Sequence, residues 1–474
     1  MSDPVPRLPP PPAHEGRTPG LDARTYAQAL EAIETRGRYG IRLGLGRVRA
    51  LLRAMGDPEL AVRGALVAGT NGKGSVIALA GSALRAAGYR VGETPKPHLV
   101  TYRERIVVDA QPISAADFAR LVDEALPAAD RIAGRLGSPT EFELLTAVMF
   151  RHFADVGLDV ALVEVGLGGR LDATNVWDGG VAVLTNVGLD HTDRLGPTIA
   201  HIALEKAAIV KRGDVAVTGA DGEALAILRR RCARLDVPLA VAPPAGVLGW
   251  SRDAITLDLP RLGAVEVGLR GRHQASNAAV ADGLLDALER SGIASVPPEA
   301  RRRGYAAARW PGRLELLTAR VPGSADAREV LLDGAHNPDG ARALAQALDD
   351  LRPHLAGGGE TPPAPITVVW ASMADKDVDG VVAAAAASRS LAGAAIVCTA
   401  LDLPRAMPAA DLAGVWRAAL PDGDVRTAPT PNEALDLALA EGRGPVVVAG
   451  SLYLVGAARA RLVDDPALRD PDVS

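Results

Sequence analysis

The sequence predicts an α/β protein of two domains, a larger one built on a mostly parallel sheet and a phosphate-binding loop, and a smaller α/β unit after it. Three observations predict it. Short apolar segments such as "LDVALVEV" (158–165) and "VAVLTNV" (181–187) alternate with helical stretches, as in a parallel sheet covered on both faces. A glycine-rich turn, "VAGTNGKGSV" (67–76), lies between a strand and a helix. The strand–helix rhythm then restarts near residue 328, and 474 residues exceed what one ordinary core holds.

Taken in order, the proline-laden residues 1–20 lack the layout of a signal peptide and are expected to be a disordered lead. The first domain is expected over 21–317. It opens on the helical "TYAQALEAIETRG" (25–37), then the strand "GALVAG" (64–69), the turn, and a helix ending at Gly88. Helices follow at 114–135 and from Thr140, and another at 198–210. The second domain is expected over 318–474, with strands "REVLLDG", "ITVVWAS", "GAAIVCTA" and "GPVVVAGS" separated by helices. The segments "RWPGRLE" (309–315) and "VPGSADA" (321–327) read as the hinge, and "GGGETPPAP" (357–365) as a loop.

A net charge of −5 without long basic runs predicts no nucleic-acid partner and no anionic membrane surface. No apolar run is long enough to span a bilayer. Cys232 and Cys398 form no metal or redox spacing, which suits a reducing cytoplasm.

Only five of the 52 basic residues are lysines, Lys73, Lys96, Lys206, Lys211 and Lys376, so each merits individual inspection. The turn departs from the strict phosphate-loop pattern, because Val67 stands where glycine is required and Gly74 separates Lys73 from Ser75. Its setting before a helix still suits phosphate, with Lys73 as cationic partner and the Ser75 hydroxyl as a magnesium ligand. Glu143 fits two roles, a capping box with Thr140 or a carboxylate ligand to magnesium. The polar loop "EVGLGGRLDATNVW" (164–177) and the segment "TNVGLDHTDRLG" (185–196) both follow strands, where ligands collect in parallel sheets. His191 is either structural or a metal ligand.

Lys206 has Ile202, Ala203, Ile209 and Val210 as helical neighbours, so it lies on an apolar stripe without a carboxylate. Either its stem snorkels to solvent, or the amine sheds its proton and adds CO₂ to become a metal-binding carbamate. In the second half, Arg313 could clamp a γ-phosphate between domains. Asp333, His336 and Asn337 sit at a strand end, with Asn337-Pro338 also an ordinary helix start.

The motifs "GTNGKGS", "KPHL", "TEFELLT", "EVGLGGRLDATN", "TNVGLDHTDRLG", "EKAAIVK", "GRHQASNAAVA", "RWPGRLE", "DGAHNPDG", "MADKD" and "GSLYLVG" occur in the order seen in the folylpolyglutamate synthase and dihydrofolate synthase family of the Mur ligase superfamily. The chain resembles that family from about residue 25 to 460, and "GIRLGLGRV" (40–48) resembles its segment beside the pterin site. The resemblance implies the Mur ligase architecture, a P-loop-type ATPase domain followed by a Rossmann-like one. It implies a monomeric, ATP-dependent enzyme adding L-glutamate to dihydropteroate or reduced folates through an acyl phosphate.

The resemblance also assigns residues. Gly69, Thr70, Asn71, Gly72, Lys73, Gly74 and Ser75 would hold the triphosphate, with Asn277, Arg313, Asp333 and His336 completing the ATP site. Ser75 and Glu143 would bind one Mg²⁺, with His191 and carbamylated Lys206 serving a second metal ion, Mg²⁺ or Mn²⁺. Lys73, His191 and Lys206 would be catalytic, and Arg47, His98, Arg170, Asp172 and Asn175 would line the substrate site. Two departures stand out, Lys96 where the family usually has serine and Ala449 where it has threonine. The rival expectations are a ligase for UDP-muramoyl substrates and a nucleotide-binding regulator without ligase activity.

Overall fold

The computed structural model describes residues 24–37 and 43–471. The expected disordered lead, and residues 40–42 of the segment beside the pterin site, lie outside the described residues. Eight strands form the larger sheet, in the order Gln111–Pro112, Val107–Val108, Val91–Glu93, Val160–Glu164, Gly64–Ala68, Gly180–Leu184, Val215–Thr218 and Leu239–Val241. All neighbours are parallel except around the two short edge strands at 107–112. Strands Gly64–Ala68 and Val160–Glu164 are buried throughout, which explains their lack of polar alternation.

Helices cover both faces, in two separate apolar layers. One layer packs Phe118, Phe150 and Phe153 beneath Trp177. The other seats helix Lys73–Ala86 against helices Gln274–Arg290 and Pro298–Ala307. Strand Gly64–Ala68 runs between two neighbours that leave in opposite directions across the sheet. Its carboxyl end is thus a topological switch point, where open α/β sheets collect ligands.

A three-stranded antiparallel sheet over residues 246–267, absent from the sequence-based expectation, packs on the second layer.

The second sheet runs Glu315–Arg320, Ala327–Leu332, Val446–Ala449, Thr367–Trp370, Ala395–Thr399 and Asp424–Ala428, parallel except for its first pair. That pair corrects two expectations. Residues 321–326 are the turn of an antiparallel hairpin, with Ala327 opening its second strand, rather than a hinge, and a boundary at 318 would cut strand Glu315–Arg320 in the middle. The crossing between domains is the "RWPGRLE" stretch alone. "GGGETPPAP" holds no helix or strand, as expected.

The two domains meet through polar contacts as well as the crossing. Arg272 Nε donates to Asp350 at 2.8 Å and Arg252 Nε to Glu329 at 2.8 Å. The chain's last described turn also folds back on the first domain, where Arg103 donates to the carbonyls of Ala467 and Arg469 at 2.8 and 2.7 Å.

Candidate active site

The carboxyl ends of both sheets face one cleft of about 1310 Å³. The phosphate loop forms its floor. Helix Lys73–Ala86 starts there, so the unpaired N–H groups of its first turn point into the cleft. Gly72 has φ +80°, and a Cβ on it would stand 2.2 Å from Asn277 Oδ1. Gly74 is needed for closeness instead, since its Cβ would meet the Trp310 indole at 2.4 Å. The inserted glycine thus makes room for an aromatic lid that a strict phosphate loop does not carry. The loop is stitched to the next strand's end, with Asn71 N donating to Asn186 Oδ1 at 2.9 Å and Thr185 Oγ1 to the Asn71 carbonyl at 2.6 Å. Lys73 Nζ donates to the carbonyls of Gly69 and Thr70, and Ser75 is buried on the cleft wall.

One flank, towards strand Val160–Glu164, is rich in carboxylate. Glu143 does fill a capping box: its Oε2 accepts from Thr140 N at 2.8 Å and from Arg47 Nε at 3.0 Å. Its other oxygen, Oε1, is buried with no hydrogen-bond partner among the described residues. One oxygen of Glu143 thus caps the helix, while the other has no partner among the described residues.

Glu164, which the sequence reading passed over, ends its strand 3.9 Å from Lys73 Nζ. Burial raises its pKa, against the pull of Lys73 and then Lys96. The signal was there: it is an acid closing an apolar strand. Lys96 N donates to Glu164 Oε2 at 3.2 Å, and its ammonium donates to the Glu164 carbonyl while lying 4.7 Å above the Phe142 ring.

The opposite flank, after strand Gly180–Leu184, is rich in cation. Lys206 is buried and donates to the Gly69 carbonyl at 2.9 Å, with no ion pair among the described residues. Burial pushes its pKa down to about 7, helped by the Lys73 ammonium and opposed by Asp190 and Asp172. A side cavity of about 40 Å³ opens between Lys206, Lys73, Asp190, His191 and Leu167. His191 caps the short helix Thr192–Leu195 at φ +50°, a conformation in which a histidine is uncommon. Burial is also the first cause of its lowered pKa.

The second domain closes the cleft. Asp333 accepts from Leu314 N at 3.0 Å and Ala335 N at 2.9 Å, and His336 Nδ1 lies 2.7 Å from the Gly334 carbonyl. Arg313, Asn337 and Lys376 line the same wall, and Asn337 also caps helix Pro338–Leu351. Gly72, Asn277, Arg313, Asp333 and His336 are thus brought together across the domain crossing.

The expected substrate residues divide. Asp172 lines the cleft while anchoring its own loop through the N–H groups of Gly166, Leu167 and Thr174. Asn175 is buried behind that loop as a brace between the Arg170 carbonyl and Lys211. Arg170 points outward and pairs with Glu205 at 2.8 Å, so neither side chain faces the cleft. His98 lies beneath the rim, accepting from Arg105 Nε at 2.8 Å and packing on Tyr102. Burial, then Arg105, lowers its pKa to about 4. Arg47 reaches the site through Glu143. Of the five lysines Lys211 alone lines neither cavity, being held by Asn175 and the Trp177 and Ile209 carbonyls.

Comparison with known proteins gives a consistent picture. Residues 67–285 match the Mur ligase middle domain, and residues 312–452 match the glutamate ligase domain of Mur ligases. The dihydrofolate synthase/folylpolyglutamate synthase of Bacillus subtilis is 35% identical over 398 residues, spanning 82% of this chain and 88% of that protein. Its Mycobacterium tuberculosis counterpart is 35% identical over 463 residues, spanning 89% and 90%. Among solved structures, M. tuberculosis folylpolyglutamate synthase complexed with ADP and AMPPCP superposes with a TM-score of 0.78 at 33% identity, covering 93% of this chain and 100% of that one. Escherichia coli FolC in complex with DHPP and ADP superposes with a TM-score of 0.77 at 30% identity, covering 93% and 98%.

Proposed function

The chain belongs to the dihydrofolate synthase/folylpolyglutamate synthase family of Mur ligases, and from that premise we propose that its cleft makes and consumes an acyl phosphate. It is an ATP-dependent, ADP-forming ligase of glutamate and folates. In the proposed sequence an oxygen of the pteroate or folate carboxylate attacks the γ-phosphorus, and the bond to the ADP oxygen breaks. The amino group of L-glutamate then attacks the acyl carbon, and orthophosphate leaves. The observation that carries this reading is the convergence of Lys73, Arg313 and the helix N-terminus on one cleft that both domains share. Phosphoryl transfer needs positioned positive charge more than an acid and a base, because charge gathers on oxygens in both steps.

Within that scheme Lys73 and the loop N–H groups hold the β- and γ-phosphates, while Gly74 and Trp310 fix the loop's shape. Asn277, beside the loop, and Arg313, Asp333 and His336, from the far wall, bind the remainder of ATP, so the site needs both domains. The hydroxyl of Ser75 and the unpartnered Oε1 of Glu143 are oxygen donors of the kind Mg²⁺ takes, and they fit it. Magnesium, when bound, draws charge from the phosphate oxygens. We assign Lys206 a carbamate on three grounds: its amine is buried, it lacks an ion pair among the described residues, and it adjoins a polar side cavity roomy enough for more than a water. The neutral amine forms an N–C bond to CO₂ and releases a proton, and the resulting carboxylate joins His191 as donors for a second cation. The enzyme would act as a monomer in the cytoplasm; no helix among the described residues is long and apolar enough to cross a membrane.

ADP release by the purified enzyme, with glutamate and either dihydropteroate or tetrahydrofolate, tests the proposal. Glutamate-dependent release with one of them, and none with a UDP-muramoyl acceptor, is expected. No release with either pterin acceptor would overturn it.

A further inference from the structure

Lys96 stands where the resemblance led one to expect serine, and its surroundings give it something to do. Its ammonium lies 4.7 Å from the centre of the Phe142 ring and donates to the Glu164 carbonyl. Glu164 in turn stands 3.9 Å from Lys73 through its carboxylate. Lys96 is therefore one residue removed from the phosphate loop on the side that leads to Gly37, Leu43 and Glu141, which line the far end of the same cleft. An ammonium has three N–H donors, and among the described residues this one makes a single hydrogen bond. Lys96 lines the cleft together with Gly166 and Asp172. Burial lowers its pKa to about 8 against the pull of Asp172 and then Glu164, so these carboxylates offset only part of the cost of its charge and its spare donors can still take an oxyanion.

We propose that Lys96 binds the oxyanion at the point where the acceptor carboxylate meets the γ-phosphate, as a second fixed cation opposite Lys73. This rests on the ligase reading above. Two anions meet at that point, and the shared chemistry is a charge-assisted hydrogen bond from the ammonium to an oxygen of one or the other. A lysine there brings a fixed positive charge that a serine lacks. Lys96 is a binding residue for the reacting groups, and its carbonyl contact with Glu164 aims it.

Lys96→Met, which keeps an unbranched side chain of similar length without the charge, and Lys96→Gln, which keeps a neutral donor, separate charge from packing. Titration calorimetry with AMPPCP and with ADP compares nucleotides with and without a γ-phosphate, and calorimetry with dihydropteroate in the presence of AMPPCP reports the acceptor. A contact to the γ-phosphate weakens AMPPCP by roughly tenfold and leaves ADP within about twofold. A contact to the acceptor weakens dihydropteroate by a similar factor instead, and Lys96→Arg recovers most of either loss. The proposal is overturned if both ligands stay within about twofold of the parent in a folded variant, or if ADP weakens as much as AMPPCP, which would mean a damaged loop. The nucleotide arm needs no turnover, so it stands apart from a failure of the parent enzyme to release ADP.

Discussion

The two flanks of the phosphate loop are built to opposite recipes. On the side of strand Val160–Glu164 two buried carboxylates, Glu143 and Glu164, are offset by Lys96 and Arg47, and one oxygen is left free. On the side of strand Gly180–Leu184 two cations, Lys73 and Lys206, lean on one carbonyl, that of Gly69; Lys73 also pairs with Glu164 across the loop, while Lys206 has no ion pair among the described residues. The first flank leaves one carboxylate oxygen open to a cation, and on the second Lys206 lacks an anion among the described residues. That difference teaches how one loop can face two different ligands: each flank is short of the charge that its ligand brings, or, for Lys206, that a modification supplies.

The comparison breaks most easily at Lys73, which both flanks share. Lys73→Ala should lower kcat for ADP release by about 10³-fold, since it removes the charge met by the transferring phosphoryl group. A loss under tenfold would mean that the flanks do not meet there.

Lys206 tests the cation-rich side. Lys206→Ala should cost roughly 10²-fold in kcat, Lys206→Arg should fail to restore it, and added short carboxylic acids should return part of the activity. Full activity in the arginine variant would show that only positive charge is wanted. The same residue gives a pH signature in CO₂-free buffer. Its folded pKa, about 7, lies below its ordinary 10.5. The folded chain therefore sheds this proton first, and the penalty is complete below pH 7 and fades as pH rises to 10.5. Lys206→Met should then stabilise the protein most at and below pH 7, with the gain shrinking by at most about 1.4 kcal/mol per pH unit above it. Denaturant titrations at several pH values check this, and a gain that is flat with pH would deny the buried neutral amine.

On the carboxylate-rich side Glu143→Gln keeps an acceptor for the Thr140 N–H yet removes the charge. It should lower kcat about 10-fold to 100-fold and raise the Mg²⁺ requirement while moving Tm little. Glu143→Ala should in addition lose about 1 kcal/mol with the cap. Equal effects of the two on stability and on rate would leave Glu143 as a cap alone. The smallest effect belongs to Arg170→Ala. Its pair with Glu205 is exposed on the arginine side, so stability should change by less than about 1 kcal/mol and the KM for the acceptor by less than about twofold. A large rise in that KM would return Arg170 to the substrate site.

Much of this was legible in the chain. Helix Glu141–Val156, with its cap at Thr140, followed from a local pattern, and so did the buried strands, because periodicity and capping are written within a few residues. Lys206 was legible for the same reason, from its apolar helical neighbours. What escaped depended on residues far apart in sequence. Residues 321–327 looked like a linker because glycine, proline and serine mark hairpin turns and hinges alike, and only the pairing of 315–320 with 327–332 decides between them. Arg170 and Asn175 sit in a loop whose glycines promised a ligand, yet which face of the loop each side chain takes is set by Glu205 and Lys211. Lys96 was visible as an oddity, but its reach to Glu164 spans 68 residues.

The nearness of Trp310 to Gly74 has an optical consequence. Three of the five tryptophans, Trp177, Trp370 and Trp416, are fully buried in apolar cores, where their emission has no reason to change during turnover. The indole of Trp310 instead lines the cleft above the loop that receives nucleotide, at the crossing between the domains. The enzyme therefore carries a native fluorophore at its mouth, through which the filling of the loop can be followed in real time without a label.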